Sequence, residues 1–407
     1  MAEAEALLSA LRAALGNGDA EGILTSEAAR AAIMGADGVP NPLEGVVGEV
    51  EAGGSVAVAD ILAFVQERMG GPSEAAAMEA EPRLDPQIFA AYAAARRAPE
   101  FYSESLAGPE VASGELTERV LEFVSAPDGN RIKALFLAPA AEPGESPAPL
   151  PTVVYFHGGG MASGSAFEPQ HRNWGRCLAL EARVAVVMVD FRNYVNASRA
   201  NPQETKAFPA GLNDCVSGLE WVHAHATELG VDPARVMLAG ESGGGNLALA
   251  TAMRCLREAR LHLFSCWFVV APMIAGCYPK PDCPSAALFE GLPPGATCKV
   301  GSTASVDGYA GAAAFADPLA WPYAAGEANV SGLPRGAVWV NELDPLRDEG
   351  LAFFATCLRA GVDVSSVTLA GTTHCANVLP GVLPAACAET ARAMRFLLDG
   401  SPKLPSL

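Results

Sequence analysis

The alternation of apolar and polar positions changes character along the chain near Leu84. Before that point, alanine-rich stretches over 3–15 and 26–34 have helical spacing, a glycine-rich part follows, and a third helix is expected over 58–69. The run "GGPSEAAAMEAEP" then reads as a linker. No residue type in this region points to chemistry, so 1–83 is expected to be a helical extension packed on the main body or partly independent of it. From Leu84, "DPQIFAAYAAARR" and the residues after it suggest one or two helices over 84–115. Eight short apolar runs rich in β-branched residues come next, at 120–125, 132–138, 152–156, 184–189, 235–239, 266–271, 337–340 and 364–369. Helical patterns fall between most of the later ones, at 173–181, 212–229, 246–260 and 351–360, and a last helix is expected over 386–398.

Continuous apolar runs bounded by turn residues are the pattern of strands covered on both faces. Their alternation with helices indicates an α/β architecture: an eight-stranded, mostly parallel sheet between two helical layers. The alternation lapses between Pro272 and Pro334, in a stretch rich in Pro, Gly and Ala that is too long for an ordinary connection. An insertion of that length usually covers a site. The expected organisation is therefore an extension over 1–83, one or two helices over 84–115, and a main domain over 116–407 carrying an insertion at about 272–333.

Composition narrows the partners. Half of the 407 residues are apolar, as in a globular chain that buries a large core. The formal net charge of -19 argues against nucleic acid and anionic membrane surfaces. No stretch is long and apolar enough to span a bilayer, and the acidic start "MAEAEALLSALRAALG" lacks a basic, then apolar, leader pattern. The expectation is a cytoplasmic protein with no stable membrane insertion, acting on a small molecule, with a homodimer as the candidate assembly. Ten cysteines at irregular spacing form no CxxC pair, so most are expected to be buried thiols. Cys277, Cys283 and Cys298 cluster in a loop-like region, and whether they form a disulfide is left open. Two Asn-x-Ser matches, at Asn196 and Asn329, are expected to be chance.

The candidate chemistry centres on "VMLAGESGGGNLALATAMRC". Ser242 is the one serine with glycine two residues away on both sides, between an apolar strand pattern and a helical one. A serine on so sharp a strand-to-helix turn is strained, and its neighbours must be small. A serine hydroxyl needs a base. Of six histidines, only His374, in "LAGTTHCANV", follows the last expected strand and satisfies the order Ser, acid, His. The base needs a carboxylate to hold its tautomer. Asp344, in "VWVNELDPLRDEG", is the preferred acid; Glu342 and Asp348 are rivals, and Asp348 looks placed to cap the following helix. An oxyanion needs backbone donors, and the loop in "VVYFHGGGM" offers them from His157, Gly158, Gly159 and Gly160, with the amide of Gly243 as a further one. Met161, Glu241, Phe315, Trp321 and Tyr323 are candidate walls of a substrate pocket.

These residues resemble the hormone-sensitive-lipase-like branch of the α/β-hydrolase family, marked by its HGGG motif. The resemblance runs from about Leu84 to the C-terminus and rests on "HGGG", "VDFRN", "FPAGLNDC", "GESGGGN", "NELDPLRDEG" and "GTTH". It implies an α/β-hydrolase fold with a helical cap formed by 84–115 and about 272–333, with 1–83 as a candidate further part of it, Ser242, Asp344 and His374 as a triad, Gly159, Gly160 and Gly243 as the oxyanion hole, and hydrolysis of short- to medium-chain carboxylic esters without metal or organic cofactor. Met161 stands where an aromatic is usual, Gly243 where alanine is common, and Cys375 follows the histidine where glycine is frequent; "VDFRN" replaces a tyrosine-containing version. None of these removes a catalytic group. Two other functions share the pattern: an arylformamidase- or lactonase-type hydrolase with the same triad, and a non-catalytic small-molecule receptor on this fold.

Overall fold

The computed structural model describes residues 114–141, 148–196, 198, 205–278, 282–287, 308–311 and 314–400, with the backbone of 23–24 and 56–57. The helices expected over 3–15, 26–34 and 58–69, the 84–113 part of the cap, and Cys298 lie outside the described residues.

Eight strands form one sheet: β1 (Leu116–Ser125), β2 (Asn130–Pro139), β3 (Leu150–Phe156), β4 (Ala185–Val189), β5 (Val231–Glu241), β6 (Cys266–Val270), β7 (Gly336–Asn341) and β8 (Val364–Leu369). Among the described residues they are accompanied by the helices α1 (Pro169–Ala182), α2 (Ala210–Ala224), α3 (Ala226–Leu229), α4 (Gly243–Arg257), α5 (Glu327–Val330), α6 (Arg347–Arg359) and α7 (Pro384–Leu398). The strand order is β8-β7-β6-β5-β3-β4-β2-β1. The β1–β2 and β2–β4 pairs are antiparallel and the rest parallel. Residues 23–24 and 56–57 form a separate antiparallel pair.

Side chains alternate between two cores, as the pleat requires. Phe136, Phe156, Leu238 and Val340 face a layer built by α2, α4 and α6, with Leu219, Leu249 and Phe353. Tyr155, Met188, Phe268 and Trp339 face the other layer, built by α1 and α7, with Trp174, Leu178 and Met394. Each fully buried aliphatic or aromatic side chain of this kind contributes roughly 1.5–3 kcal/mol.

The expected strands are all present. β1 starts at Leu116, before the expected strand at 120, because its first half lies at the sheet edge, where Thr117 and Arg119 are exposed on one face and Glu118 is half-buried on the other, which breaks the apolar run. The helix expected over 212–229 is interrupted at His225, whose amide and ring Nδ1 both turn to the Trp221 carbonyl. α1 begins four residues before its expected start at 173, with Pro169 in its first turn, where a proline loses no hydrogen bond. His171, two residues outside the helix expected over 173–181, therefore sits on it.

Register brings the chemistry together. Phe156 pairs with Gly240, Glu241 with Val270, Val270 with Trp339, and Leu369 with Asn341. Four carboxyl ends thus lie side by side, and the loops after β3, β5, β7 and β8 share one edge, the usual place for a site in an open α/β sheet.

Candidate active site

Ser242 occupies the turn between β5 and α4 with φ 54 and ψ -120, a backbone region that a residue with a side chain adopts only under constraint. The constraint comes from both sides. The Ser242 amide donates to Val270 O at 2.9 Å, and its carbonyl accepts from Asn246 N at 3.1 Å and Met273 N at 2.9 Å. A Cβ on Gly244 would fall on the Phe156 carbonyl, so this turn closes only with glycine there. α4 accordingly starts at Gly243, three residues before the helix expected from the apolar pattern, and its N-terminal dipole faces the serine.

His374 and Asp344 meet the serine. His374 Nε2 lies 3.0 Å from Ser242 Oγ, and His374 Nδ1 lies 2.8 Å from Asp344 Oδ2. A carboxylate at Nδ1 assigns the proton to that nitrogen and leaves Nε2 as the acceptor. The other Asp344 oxygen accepts the Leu346 amide at 2.9 Å, so the carboxylate is held on both sides. The rival acids face elsewhere: Glu342 accepts from Gly371 N, and Asp348 from Ser285 N, each at 2.6 Å. Asp348 does not cap α6 as expected, because the helix starts earlier, at Arg347, and leaves Asp348 inside its first turn. The Cys375 thiol lies 3.4 Å from His374 Nε2, on the same side as the serine hydroxyl. Burial pushes that thiol up to about 12, so it stays protonated.

The glycine loop after β3 lies against the serine turn. A Cβ on Gly243 would come within 2.7 Å of the Gly160 and Met161 amide nitrogens. These amides therefore cross directly over the residue after the serine. Two supports hold the loop. Beneath it, Gly158 N–H donates to Glu241 Oε1 at 2.6 Å. Along its far end, Asp190 Oδ1 accepts from Ser165 Oγ and Ala166 N, Asn193 Nδ2 donates to Gly164 O, and Phe191 stacks on His157 at 4.3 Å. "VDFRN" is thus the cradle of the glycine loop. Its arginine, Arg192, pairs with Asp214 of "FPAGLNDC" at 2.7 Å and with Asp128 at 2.6 Å, tying the cradle to α2 and the β1–β2 turn.

Glu241, expected in the pocket wall, has its Oε1 engaged beneath the loop: besides Gly158 it meets His171 Nε2 at 3.3 Å. His171 Nδ1 donates to Ser165 O at 2.8 Å, so an acceptor faces each ring nitrogen. Burial lowers the His171 pKa, but the hydrogen bond and charge of Glu241, with Ser165 O and Glu168, outweigh it and leave the ring raised. His157 differs: burial, then the charge of His171, lower it to about 3, so it is neutral.

The remaining wall candidates separate by place. Met161 is buried in the glycine loop with φ 58, and its carbonyl accepts from Tyr194 N. Trp321 is buried against Gly276 and meets Tyr309 edge-on at 5.4 Å. The Tyr323 hydroxyl donates to Asp282 at 2.8 Å, while Phe315 is half-buried at the edge of the core. Trp321 and Tyr323 belong to the root of the insertion, which residues unassigned from sequence hold down. Asn246 Nδ2 donates to both Met273 O and Ala320 O. Glu349 Oε1 accepts from Ile274 N, Ala275 N and the Tyr278 hydroxyl, and burial pushes this carboxyl up to about 8. Asparagine and glutamate in a buried helix are weak sequence signals; only the neighbouring backbone gives these two a task. Cys277 and Cys283 are free thiols. Among the described residues no helix is long and apolar enough to cross a membrane, and no His/Cys/Asp/Glu group could hold a metal ion.

Comparison with known proteins agrees with this fold. A family profile described as the alpha/beta hydrolase fold matches residues 153–377. The chain is 30% identical over 252 residues to carboxylesterase NlhH of Mycobacterium tuberculosis, covering 61% of this chain and 73% of that one. It is 30% identical over 267 residues to esterase LipI of the same organism, covering 62% and 75%. Among solved structures, esterase Est22 superposes with a TM-score of 0.67 at 37% identity, covering 84% of this chain and 91% of that one. Brefeldin A esterase, a bacterial homologue of human hormone-sensitive lipase, does so with 0.63 at 33%, covering 78% and 86%. The protein belongs to the α/β-hydrolase family, in its hormone-sensitive-lipase-like carboxylesterase branch.

Proposed function

We propose that this protein is a serine carboxylesterase working through Ser242, His374 and Asp344. The observation that carries the reading is one imidazole with Asp344 Oδ2 at 2.8 Å on Nδ1 and Ser242 Oγ at 3.0 Å on Nε2. His374 Nε2 takes the proton as Ser242 Oγ attacks the ester carbonyl, and Asp344 stabilises the imidazolium. The amides of Gly159, Gly160 and Gly243 receive the oxyanion, each donor contributing about 3 kcal/mol in the transition state. His374 then protonates the departing alcohol, and the acyl-enzyme is hydrolysed by water that gives its proton to the same nitrogen.

The substrate is a small carboxylic ester of short to medium acyl length. A covering role for the insertion over 272–333 is supported by Asn246, which ties its start at Met273 and its later part at Ala320 to the helix that starts beside the serine. The test is a panel of p-nitrophenyl esters from acetate to palmitate, with a lactone and an arylformamide, beside fluorophosphonate labelling. Highest kcat/KM on the acetate-to-octanoate esters with labelling at Ser242 is expected. Highest kcat/KM on the lactone or arylformamide moves the assignment to that bond, and a protein that neither turns over esters nor labels is not an esterase.

A further inference from the structure

Asn341 is the last residue of β7 and is fully buried. Three hydrogen bonds use its side-chain amide. Its Oδ1 accepts the Cys375 amide at 3.0 Å, and its Nδ2 donates to Thr372 Oγ1 at 2.8 Å and Asn377 Oδ1 at 3.1 Å. All three partners lie on the turn that carries His374. On the other side, the Asn341 carbonyl accepts the Asp344 amide at 3.2 Å. The network continues outward: Thr372 Oγ1 donates to Leu369 O at 2.7 Å, Asn377 Nδ2 to Thr390 Oγ1 at 3.1 Å, and Thr390 Oγ1 to Ala386 O at 2.8 Å. It ends on α7. The turn itself is strained, since Cys375 has φ 59, a left-handed backbone that a residue with a side chain takes only when it is held there.

We infer that Asn341 is a positioning residue of the reaction: it locks the turn bearing His374 to the loop bearing Asp344, and so sets where Nε2 stands relative to Ser242. The inference rests on the triad reading above. A small aliphatic residue at this position would leave the Cys375 N–H buried without an acceptor and loosen the left-handed turn, while Glu342 and Leu343 still hold only its start, through Gly371 N–H to Glu342 Oε2 and Leu343 N–H to Thr372 O. The Cys375 side chain then swings with its backbone, and its thiol already competes with Ser242 Oγ for the lone pair on Nε2. Loss of the Asn341 contacts therefore acts on the base, while the glycine loop and the insertion keep their own supports.

The experiment uses the full chain as wild type, Asn341→Ala and Asn341→Asp, with p-nitrophenyl butyrate kinetics across pH, thermal melting and fluorophosphonate labelling rates. For Asn341→Ala, kcat falls roughly 10- to 100-fold, as for a catalytic group displaced by about 1 Å, with KM within about twofold and labelling slowed by a similar factor. Asn341→Asp keeps the shape and the acceptor for Cys375 but adds a negative charge beside the turn. The groups already facing His374 are Asp344 on the β7–α6 loop, Cys375 on its own turn, Glu241 behind the serine and, through Asp344, Glu349 on α6. A second carboxylate here favours the imidazolium, so the acid limb of kcat/KM moves to higher pH by about 1 unit. A purely structural role would lower the melting temperature without moving that limb. The inference is overturned if Asn341→Ala keeps kcat within about twofold of wild type, or if the pH profile of Asn341→Asp superimposes on the wild-type one. Should Asn341→Ala fail to fold, the profile of Asn341→Asp decides alone. Failure of the triad reading shows separately, as a wild type that does not label at Ser242.

Discussion

Gly243→Ala, a small change beside the serine, should damage the enzyme. A Cβ at this position lies 2.7 Å from the Gly160 and Met161 nitrogens and 2.8 Å from Gly160 Cα, all backbone atoms of the glycine loop. Ordinary contact begins near 3.4 Å, so the loop must retreat by about 0.7 Å. Glu241 beneath and the "VDFRN" cradle behind limit where it can go. Loss of a whole oxyanion donor costs about 10²–10³ in kcat, and a partial displacement costs less, so a fall of roughly 10- to 100-fold is expected. KM should stay within about twofold, because the oxyanion forms only in the transition state. Stability moves little: crowding the loop costs about 1–3 kcal/mol, and alanine returns up to about 1 kcal/mol in a helix. Steady-state rates on p-nitrophenyl butyrate, beside a melting curve, measure both. A variant that keeps more than half of the wild-type kcat refutes the claim that this close approach sets the oxyanion donors.

Two further predictions concern charge. His171→Gln should destabilise most at low pH. The folded pKa of His171 is raised from about 6.5, so its ion pair with Glu241 is fully present below that value and fades as pH rises through the raised one. The melting-temperature gap between wild type and variant should therefore narrow from pH 6 to pH 9; a gap that stays constant or widens contradicts the pairing. Asp128→Asn should behave oppositely. The Arg192 hydrogen bond and charge, with Lys206, lower Asp128 from 3.8 to about 2, so its contribution is present above 3.8 and is lost as pH falls toward 2. The gap should be flat above about pH 5 and shrink below about pH 4, and no shrinkage would refute the Arg192 contact.

Strands were the most readable part of this chain, because a sheet buried on both faces writes each strand as a β-branched run regardless of its neighbours. Ser242, Asp344 and His374 could be found in sequence for a related reason: each needs a particular residue type after a particular strand. What holds them could not. Glu241 reaches Gly158 only because Phe156 and Gly240 pair in register. Asn341 reaches Cys375 only because β7 and β8 end together. His171 falls outside the helical pattern over 173–181 because the polar first turn of α1 hides its helical period. In sequence, such residues are isolated polar letters in apolar or polar surroundings, and their partners lie 30 to 90 positions away. Asp348 misled for the opposite reason: a capping type stood at a plausible distance, while the helix began earlier, at Arg347.

Ester hydrolysis by this protein depends most directly on the Ser242 hydroxyl. Initial rates of p-nitrophenyl butyrate hydrolysis by wild type and Ser242→Ala, at matched folded concentration, test it. Removing the nucleophile should lower kcat by at least about 10⁴-fold while leaving the melting temperature nearly unchanged. A Ser242→Ala protein that hydrolyses the ester at the wild-type rate would contradict it.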